Sequence, residues 1–338
     1  MPQHAVQPFP VSEEYVKNPE IKPEDIAKFR QWVRTQPHLP DQHISGTAPN
    51  SSFRPSINVP RLRKDRQASG VGAELQSCSN LDLVLTYHCC DRSAEVAKQV
   101  LDLNLTLRTM SPIFAGRDVD DKGLERAYHI MLLSILPTRT PEGYAVFYQC
   151  LVDCDPKNFV FPDVMKAVMM TLDLYQVEQG TWPGLVIVLD MKGVQLAHLS
   201  RLEIQTLQHF MYYLQEAFLA KLKAIHYLNA PSFMDKLLMI LKPFMKKQLM
   251  DMLHIHQPDS KAVDEVIPKA ALPKEYGGQH KDINTWIEES WQKVRANREY
   301  FAAESERRVN EAKRPGRPRS VTDLFGGVEG SFKKLDID

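Results

Sequence analysis

No stretch of this 338-residue chain offers the ~18 uninterrupted apolar residues that a membrane-spanning helix needs. Its amino terminus, MPQHAVQPFPVSEEYVKN, has neither the basic start nor the apolar core of a secretion signal. Net charge is missing too: 42 Lys and Arg offset 42 Asp and Glu, so no global field favours nucleic acid or an anionic membrane, and any electrostatic recognition must be local. The five cysteines form no CxxC pair; Cys89 and Cys90 are adjacent, and Cys150 and Cys154 stand four residues apart. That pattern reads as reduced core thiols rather than a zinc or redox site. Phosphate-loop, dinucleotide, hydrolase-elbow and zinc-protease signatures are all absent, and the connection DCDPKNFVFPD has no glycine to cradle a phosphate. The expectation is a cytoplasmic protein without cofactor, metal or covalent chemistry, and without nucleic acid as partner.

What is present falls into three parts. SEEYVKNPEIKPEDIAKFRQW reads as short helices, with Pro23 in a first turn and Ile26, Phe29 and Val33 on one face. LDLVLTYHCC and SAEVAKQVLDLNLTLR read as two more, the second capped by Ser93 with Val96, Val100, Leu103 and Leu107 in a stripe. Between them, 41–80 is rich in serine and turn formers and holds the basic run RLRKDR at Arg61–Arg66, the composition of a disordered insertion. After Pro141, YAVFYQCLV, GLVIVLDM and LKAIHYL are short apolar runs separated by helical patterns over 162–178 and 199–218, which implies βαβ units and parallel strands. A charged helix, INTWIEESWQKVRANREYFAAESERR, then leads into the linker-like AKRPGRPRS and a polar tail.

Three features bear on function. The segment from Pro231 to Lys247 is apolar around most of its circumference: it is either a core helix or a door over an apolar cavity, with Pro243 favouring a break near Met239 to Lys242. Ten of the 13 methionines lie between Met165 and Met252, and flexible thioethers suit a wall that fits an irregular lipid-like ligand as well as an ordinary core. Lys221 and Lys223, two apart on a strand, are expected on one face, with Lys242, Lys246 and Lys247 close behind the door. His254 and His256, also two apart, begin a metal site or are structural; Asp190, closing its strand, is a catalytic carboxylate or a turn cap.

LKAIHYLNAPSFMDKLLMILKPFMKKQLMDMLHIH, the later LPKEYGG and the upstream LDMKG together resemble the CRAL-TRIO domain family, the group of alpha-tocopherol transfer protein, cellular retinaldehyde-binding protein and the clavesins. The likeness runs from about Leu81 to Trp291, and the tail DLFGGVEGSFKKLDID is similar to insect members. The resemblance implies an α/β lipid-binding domain over 120–285, a mixed sheet flanked by helices with a mobile gate helix. A small all-α N-terminal domain over 11–115, with the 41–80 insertion, would precede it, and a helix and flexible tail over 286–338 would follow. It places Ala167, Thr171, Leu189, Val194, Leu202, Phe210, Tyr213, Leu214 and Ile225 around a ligand, with Phe233, Leu237 and Ile240 closing over it. It further implies phosphoinositide contacts through Lys221 and Lys223, with Lys242 close by and Lys246 and Lys247 standing in for basic positions that fall here at Gln248 and Met252. The arginine-rich pattern expected at the cleft edge is replaced by LTYHCCD. The implied function is binding and intermembrane transfer of a retinoid, tocopherol, carotenoid or phospholipid by a protein that visits membranes transiently. The alternative is a scaffold of the same fold with no lipid bound.

Overall fold

The structure, a computed structural model, describes residues 5–40, 78–258, 260, 267 and 269–325. The expected insertion at 41–80, with its basic run, lies outside the described residues except for its last three, as does the chain beyond Phe325.

Four helices come first: α1 (Val11–Lys17), α2 (Pro23–Arg34), α3 (Asn80–Cys89) and α4 (Ala94–Met110). Pro23 opens α2, whose first-turn Glu24 and Asp25 complement the positive end of the helix, and Ile26, Phe29 and Val33 are buried. A reciprocal cap starts α3, the Asp82 amide donating to the Ser79 hydroxyl and the Ser79 amide to the Asp82 carboxylate. In α4 Leu107 of the expected stripe is buried and Val100 and Leu103 half-buried, but Val96 is 46% exposed and Ala97, Leu101 and Leu105 are buried beside them.

The α/β portion runs α5 (Lys122–Ile130), β1 (Met131–Ile135), β2 (Ala145–Leu151), α6 (Phe161–Gln179), β3 (Leu185–Asp190), α7 (Leu196–Leu199), α8 (Ile204–Glu216), β4 (Leu222–Leu228), α9 (Met234–Leu241), α10 (Lys247–Met250) and β5 (Leu253–Ile255). The sheet order is β1-β2-β3-β4-β5, with β1 antiparallel to β2 and the other pairs parallel. The pattern expected as one helix over 199–218 is two, with α7 ending before Ser200. Alternation sends Phe147, Ile187 and Ile225 to one face of the sheet, against α6, α8 and α9. Val146, Tyr148, Val186 and Val188 go to the other, against α11 (Ile283–Ala296). Trp286 and Ile287 of α11 cover that second face. The turn before α11 needs both its glycines: Gly277 has φ +75°, and a Cβ on Gly278 would stand 1.9 Å from the Leu272 carbonyl oxygen.

The carboxyl end departs from expectation. The charged helix is two, α11 and α12 (Arg298–Glu306), separated at Asn297, whose side chain turns back to accept from the Val6 amide and donate to the Lys293 carbonyl. The segment read as linker and flexible tail is anchored through Phe325. Val309 donates to Thr109 and Asn310 to the His38 carbonyl, Arg314 forks onto Asp102 at 2.7 and 2.8 Å, and Phe325 stacks on His209 with ring centres 3.9 Å apart. The arginines that made AKRPGRPRS look like a solvated spacer are the groups that hold it, because Asp102 offers them a carboxylate.

A buried ion cluster joins these parts. Arg108 of α4 grips Asp173 of α6 with two hydrogen bonds of 2.7 and 2.9 Å, Arg117 adds one of 2.7 Å, and both guanidiniums reach Glu304 of α12. Asp173 is 4% and Glu304 1% exposed. Burial by itself would raise both carboxyls, but the guanidiniums overcome it and hold each below its ordinary value.

Candidate functional site

Between the sheet and helices α6, α8 and α9 lies a cavity of about 200 Å³ with almost wholly apolar walls. Its floor is Phe147 and Leu151 of β2, Ile187 and Leu189 of β3, Ile225 and Tyr227 of β4 and Leu253 of β5. These residues alternate along each strand and so share one face. Val164, Val168 and Leu172 of α6 form one wall at intervals of four, and Leu207, Phe210, Met211 and Leu214 of α8 form another. The stretch between β3 and α8 closes one end with Val194, His198 and Leu202. Leu237 and Leu241 of α9, followed by Met245, form the lid.

Leu189, Val194, Leu202, Phe210, Leu214, Ile225 and Leu237 are thus brought together around this space, whereas Ala167, Thr171, Tyr213, Phe233 and Ile240 are not among its lining. Helical phase explains most of the difference, since one residue along a helix is a turn of about 100°. Ala167 and Thr171 sit one stripe round from Val168 and Leu172, where the Tyr128 hydroxyl donates to the Ala167 carbonyl and meets the Thr171 hydroxyl at 3.0 Å. Tyr213 points to α4, accepting from Asn104 at 2.9 Å and Arg108 at 3.0 Å. Phe233 precedes the first turn of α9, and Ile240 is half-buried on the flank beside Leu241. The lining residues not anticipated from sequence, such as Phe147, Val164 and Met211, carry the same period-two or period-four signal as those that were.

The lid is a short amphipathic helix. Met234, Leu237 and Leu241 face inward and are buried, while Met239 on the outside is 66% exposed beside exposed Lys236 and Lys242. The α-helix ends at Leu241, and Lys242–Phe244 continue as a 3-10 turn because Pro243 has no amide hydrogen for the ladder. Just beyond, Gln215 of α8 clamps the chain, its amide donating to the Phe244 carbonyl and accepting from the Lys246 amide, each at 2.8 Å.

The basic positions do not form one free patch. Lys221 pairs with Asp91, Lys246 with Glu216 and Lys247 with Asp251, while the Lys223 ammonium lies 5.6 Å from the Tyr144 ring centre. An irregularity between β3 and β4 skips Lys223 in the register, so a spacing of two no longer holds it and Lys221 to one face. An open cleft nearby is bordered by Cys89, Cys90, Asp91, Lys246, Gln248 and Met252.

Asp190 is saturated: it accepts from the Lys192 amide, the Asn229 amide group and the Tyr148 hydroxyl at 2.7–3.0 Å, the bonding of a turn cap. His254 and His256 meet a third imidazole, His226 of β4, which is 2.9 Å from His256 and stacks on both. Among the described residues no group of three or more His, Cys, Asp or Glu side chains is arranged to hold a metal ion. Burial first, then the neighbouring His254 and His256, lowers His226 to about 4 from an ordinary 6.5. The unfolded chain therefore takes up this proton first, and the stability held by neutral His226 is full above pH 6.5 and lost as pH falls toward 4. The expected loss is up to about 3 kcal/mol, at ~1.4 kcal/mol per pKa unit. Urea midpoints measured from pH 7 to 4.5 should fall, and should fall less in His226→Asn; parallel profiles for the two proteins contradict this account.

The CRAL/TRIO domain family matches residues 131–278. Alpha-tocopherol transfer protein-like of Homo sapiens is 29% identical over 285 residues, 81% of this chain and 70% of that protein. Clavesin-1 of Xenopus laevis is 24% identical over 177 residues, 52% of this chain and 53% of that one. Among solved structures, that of Sfh5 superposes with a TM-score of 0.43 at 15% identity, covering 62% of this chain and 74% of its own. Among the described residues no helix is long and apolar enough to cross a membrane.

Proposed function

We propose that the protein, whose residues 131–278 match the CRAL/TRIO domain family, binds one small hydrophobic molecule in the cavity beneath α9 and carries it between membranes, without covalent chemistry. The observation that supports this reading is the apolar space itself: close-packed interiors rarely leave voids much larger than a water, and about 200 Å³ lined from all five strands and from α6, α7, α8 and α9 is far above that. Each Å² of apolar ligand surface taken from water contributes ~25 cal/mol. The volume is below the ~300 Å³ at which small-molecule pockets usually begin. Loading therefore requires the walls to give, which Met165, Met211 and Met245 allow through their flexible thioethers.

In this proposal α9 swings on the break at Lys242–Phe244, and its exposed face, with Met239 at the centre and lysines beside it, enters the lipid interface. Phosphoinositide docking through Lys221 and Lys223 belongs to the proposal in a weakened form, since Asp91 already neutralises Lys221. Changing both lysines to alanine is expected to reduce sedimentation with phosphoinositide-containing vesicles by up to about thirtyfold, at ~1 kcal/mol per lysine. Bound cargo should stay in place. Unchanged sedimentation removes these two lysines from the docking surface.

Native mass spectrometry of freshly purified protein, followed by organic extraction, tests the carrier reading. A stoichiometric small hydrophobe is expected. A protein that arrives empty and takes up no lipid from vesicles is an interaction scaffold with this fold and not a carrier.

A further inference from the structure

A pair of thiols stands outside the cavity and takes no part in it. Cys89, the last residue of α3, and Cys90, its cap, place their sulfurs 3.8 Å apart in a weak thiol hydrogen bond. The Cys89 sulfur also donates to the Thr86 carbonyl at 3.2 Å. Both residues are half-buried and border the open cleft of about 700 Å³ between α3, α4, α8 and α10, so a small solute reaches them from solvent. The other cysteines are placed differently: Cys78 and Cys150 are buried, with burial pushing the Cys150 thiol up to about 12, and Cys154 packs against Gly193. The surroundings set the two neighbouring sulfurs apart. The hydrogen bond from Cys89 holds the Cys90 thiol below its ordinary value and Lys221 adds to the lowering, against burial and the Asp91 carboxylate. The same bond, and then burial, push Cys89 well up. One sulfur thus carries thiolate character while the other keeps its proton, the division that an attacking and a resolving thiol need. A tight turn follows, with Asp91 at φ +50° and Arg92 at φ +65°, a left-handed region that is costly for residues bearing a Cβ. The Asp91 carboxylate ends this turn on the Lys221 ammonium.

We propose that Cys89 and Cys90 form a peroxide-sensitive site that closes into a disulfide between chain neighbours, and that closure loosens Asp91 from Lys221. The Cys90 thiolate attacks one peroxide oxygen, the O–O bond breaks, and the departing hydroxide takes a proton to leave as water, with Cys90 now a sulfenic acid. The Cys89 sulfur then attacks the Cys90 sulfur, the S–S bond forms, and the hydroxide released takes the Cys89 proton as a second water. Both thiols are oxidised and the peroxide is reduced, so no further reactant is needed. Neighbouring Cα atoms stand about 3.8 Å apart, inside the ~4.4–6.8 Å of ordinary bridges, so ring closure twists the peptide between the two residues. The turn that follows already holds two residues in the left-handed region and has little slack to absorb a twist, and it carries Asp91. A bridge of this kind is readily reduced, so thiol reductants restore the pair.

The site stands independently of the carrier reading. To test it, the full chain is reduced, freed of reductant, treated with hydrogen peroxide, then unfolded, alkylated and digested for mass spectrometry. The peptide holding Cys89 and Cys90 is expected to lose two hydrogens and take no alkyl group, while Cys78 and Cys150 still alkylate, and dithiothreitol should return both thiols. A pair that still takes two alkyl groups, or that ends bridged to another molecule or as separate sulfinic acids, overturns the site. In Cys89→Ser, dimedone is expected to trap a sulfenic acid on Cys90, and in Cys90→Ser trapping at Cys89 should be about tenfold slower, since Cys89 is the poorer thiolate. The reverse order overturns the roles given to the two sulfurs, and the first measurement decides the site even where a variant fails to fold. Acetylation of Lys221, read against Lys223 in the same digest, is expected to rise up to about fivefold on oxidation, the worth of a surface ion pair. Equal labelling before and after oxidation overturns the link to Asp91.

Discussion

A Leu214→Trp variant is expected to purify without cargo. Leu214 sits on the inner face of α8, one turn from Phe210 and Met211, and its side chain lines the cavity. The indole added there occupies the space a ligand would take, while the helix and its outer contacts through His209 and Tyr212 remain. Overpacking a core costs about 1–3 kcal/mol, so the variant should fold with a modestly lower midpoint. The effect on cargo is all or none, because the space is already small. Native mass spectrometry checks it: ligand stoichiometry equal to that of the unsubstituted protein removes Leu214 from the binding wall.

Asp173→Ala is expected to destabilise the fold by about 3–5 kcal/mol, the cost of leaving a buried charge uncompensated. Arg108 and Arg117 both direct guanidinium groups at this carboxylate, and Glu304 alone cannot neutralise them. Since Arg108 belongs to α4, Asp173 to α6 and Glu304 to α12, the loss should loosen all three together. Urea denaturation measures it, and a midpoint shift worth less than 1 kcal/mol contradicts the role assigned to the cluster. Replacing Arg108 and Asp173 together by methionine and leucine should cost less than the sum of the single changes, because it removes the charges in balance.

How much of this was legible in the sequence depended on the kind of element. Along strands, side chains alternate strictly, so the positions that the resemblance placed on the strands, Leu189 and Ile225, keep their face once the register pairs Leu189 with Tyr227 and Ile187 with Ile225, and both line the cavity. Along helices a miscount of one residue turns the side chain about 100°, and α6 carries apolar residues on two adjacent stripes. Ala167 and Thr171 lie on the stripe that meets Tyr128 of α5, a contact no local pattern reveals. β1 follows α5 without a glycine or proline to mark the change, and β5 has three residues, too few to show a period. The least legible features were the long-range ones. That Asp102 would receive Arg314 from 212 residues away, or Asp173 two arginines from different segments, is decided by tertiary packing. Gln149 likewise looks unremarkable within YAVFYQCLV until its neighbours on the face prove to be Leu189 and Tyr227.

The strap from Val309 to Phe325 sets a timetable for the newborn chain. The His38 carbonyl, Asp102 and Thr109 leave the ribosome well before their partners Asn310, Arg314 and Val309, which lie 200 or more residues further along the chain. At ~5–20 residues per second, Asp102 waits roughly 10–40 s for an arginine that is still being encoded. Throughout that interval the first helices lack their final brace, and a message truncated near codon 306 yields a product that never acquires it.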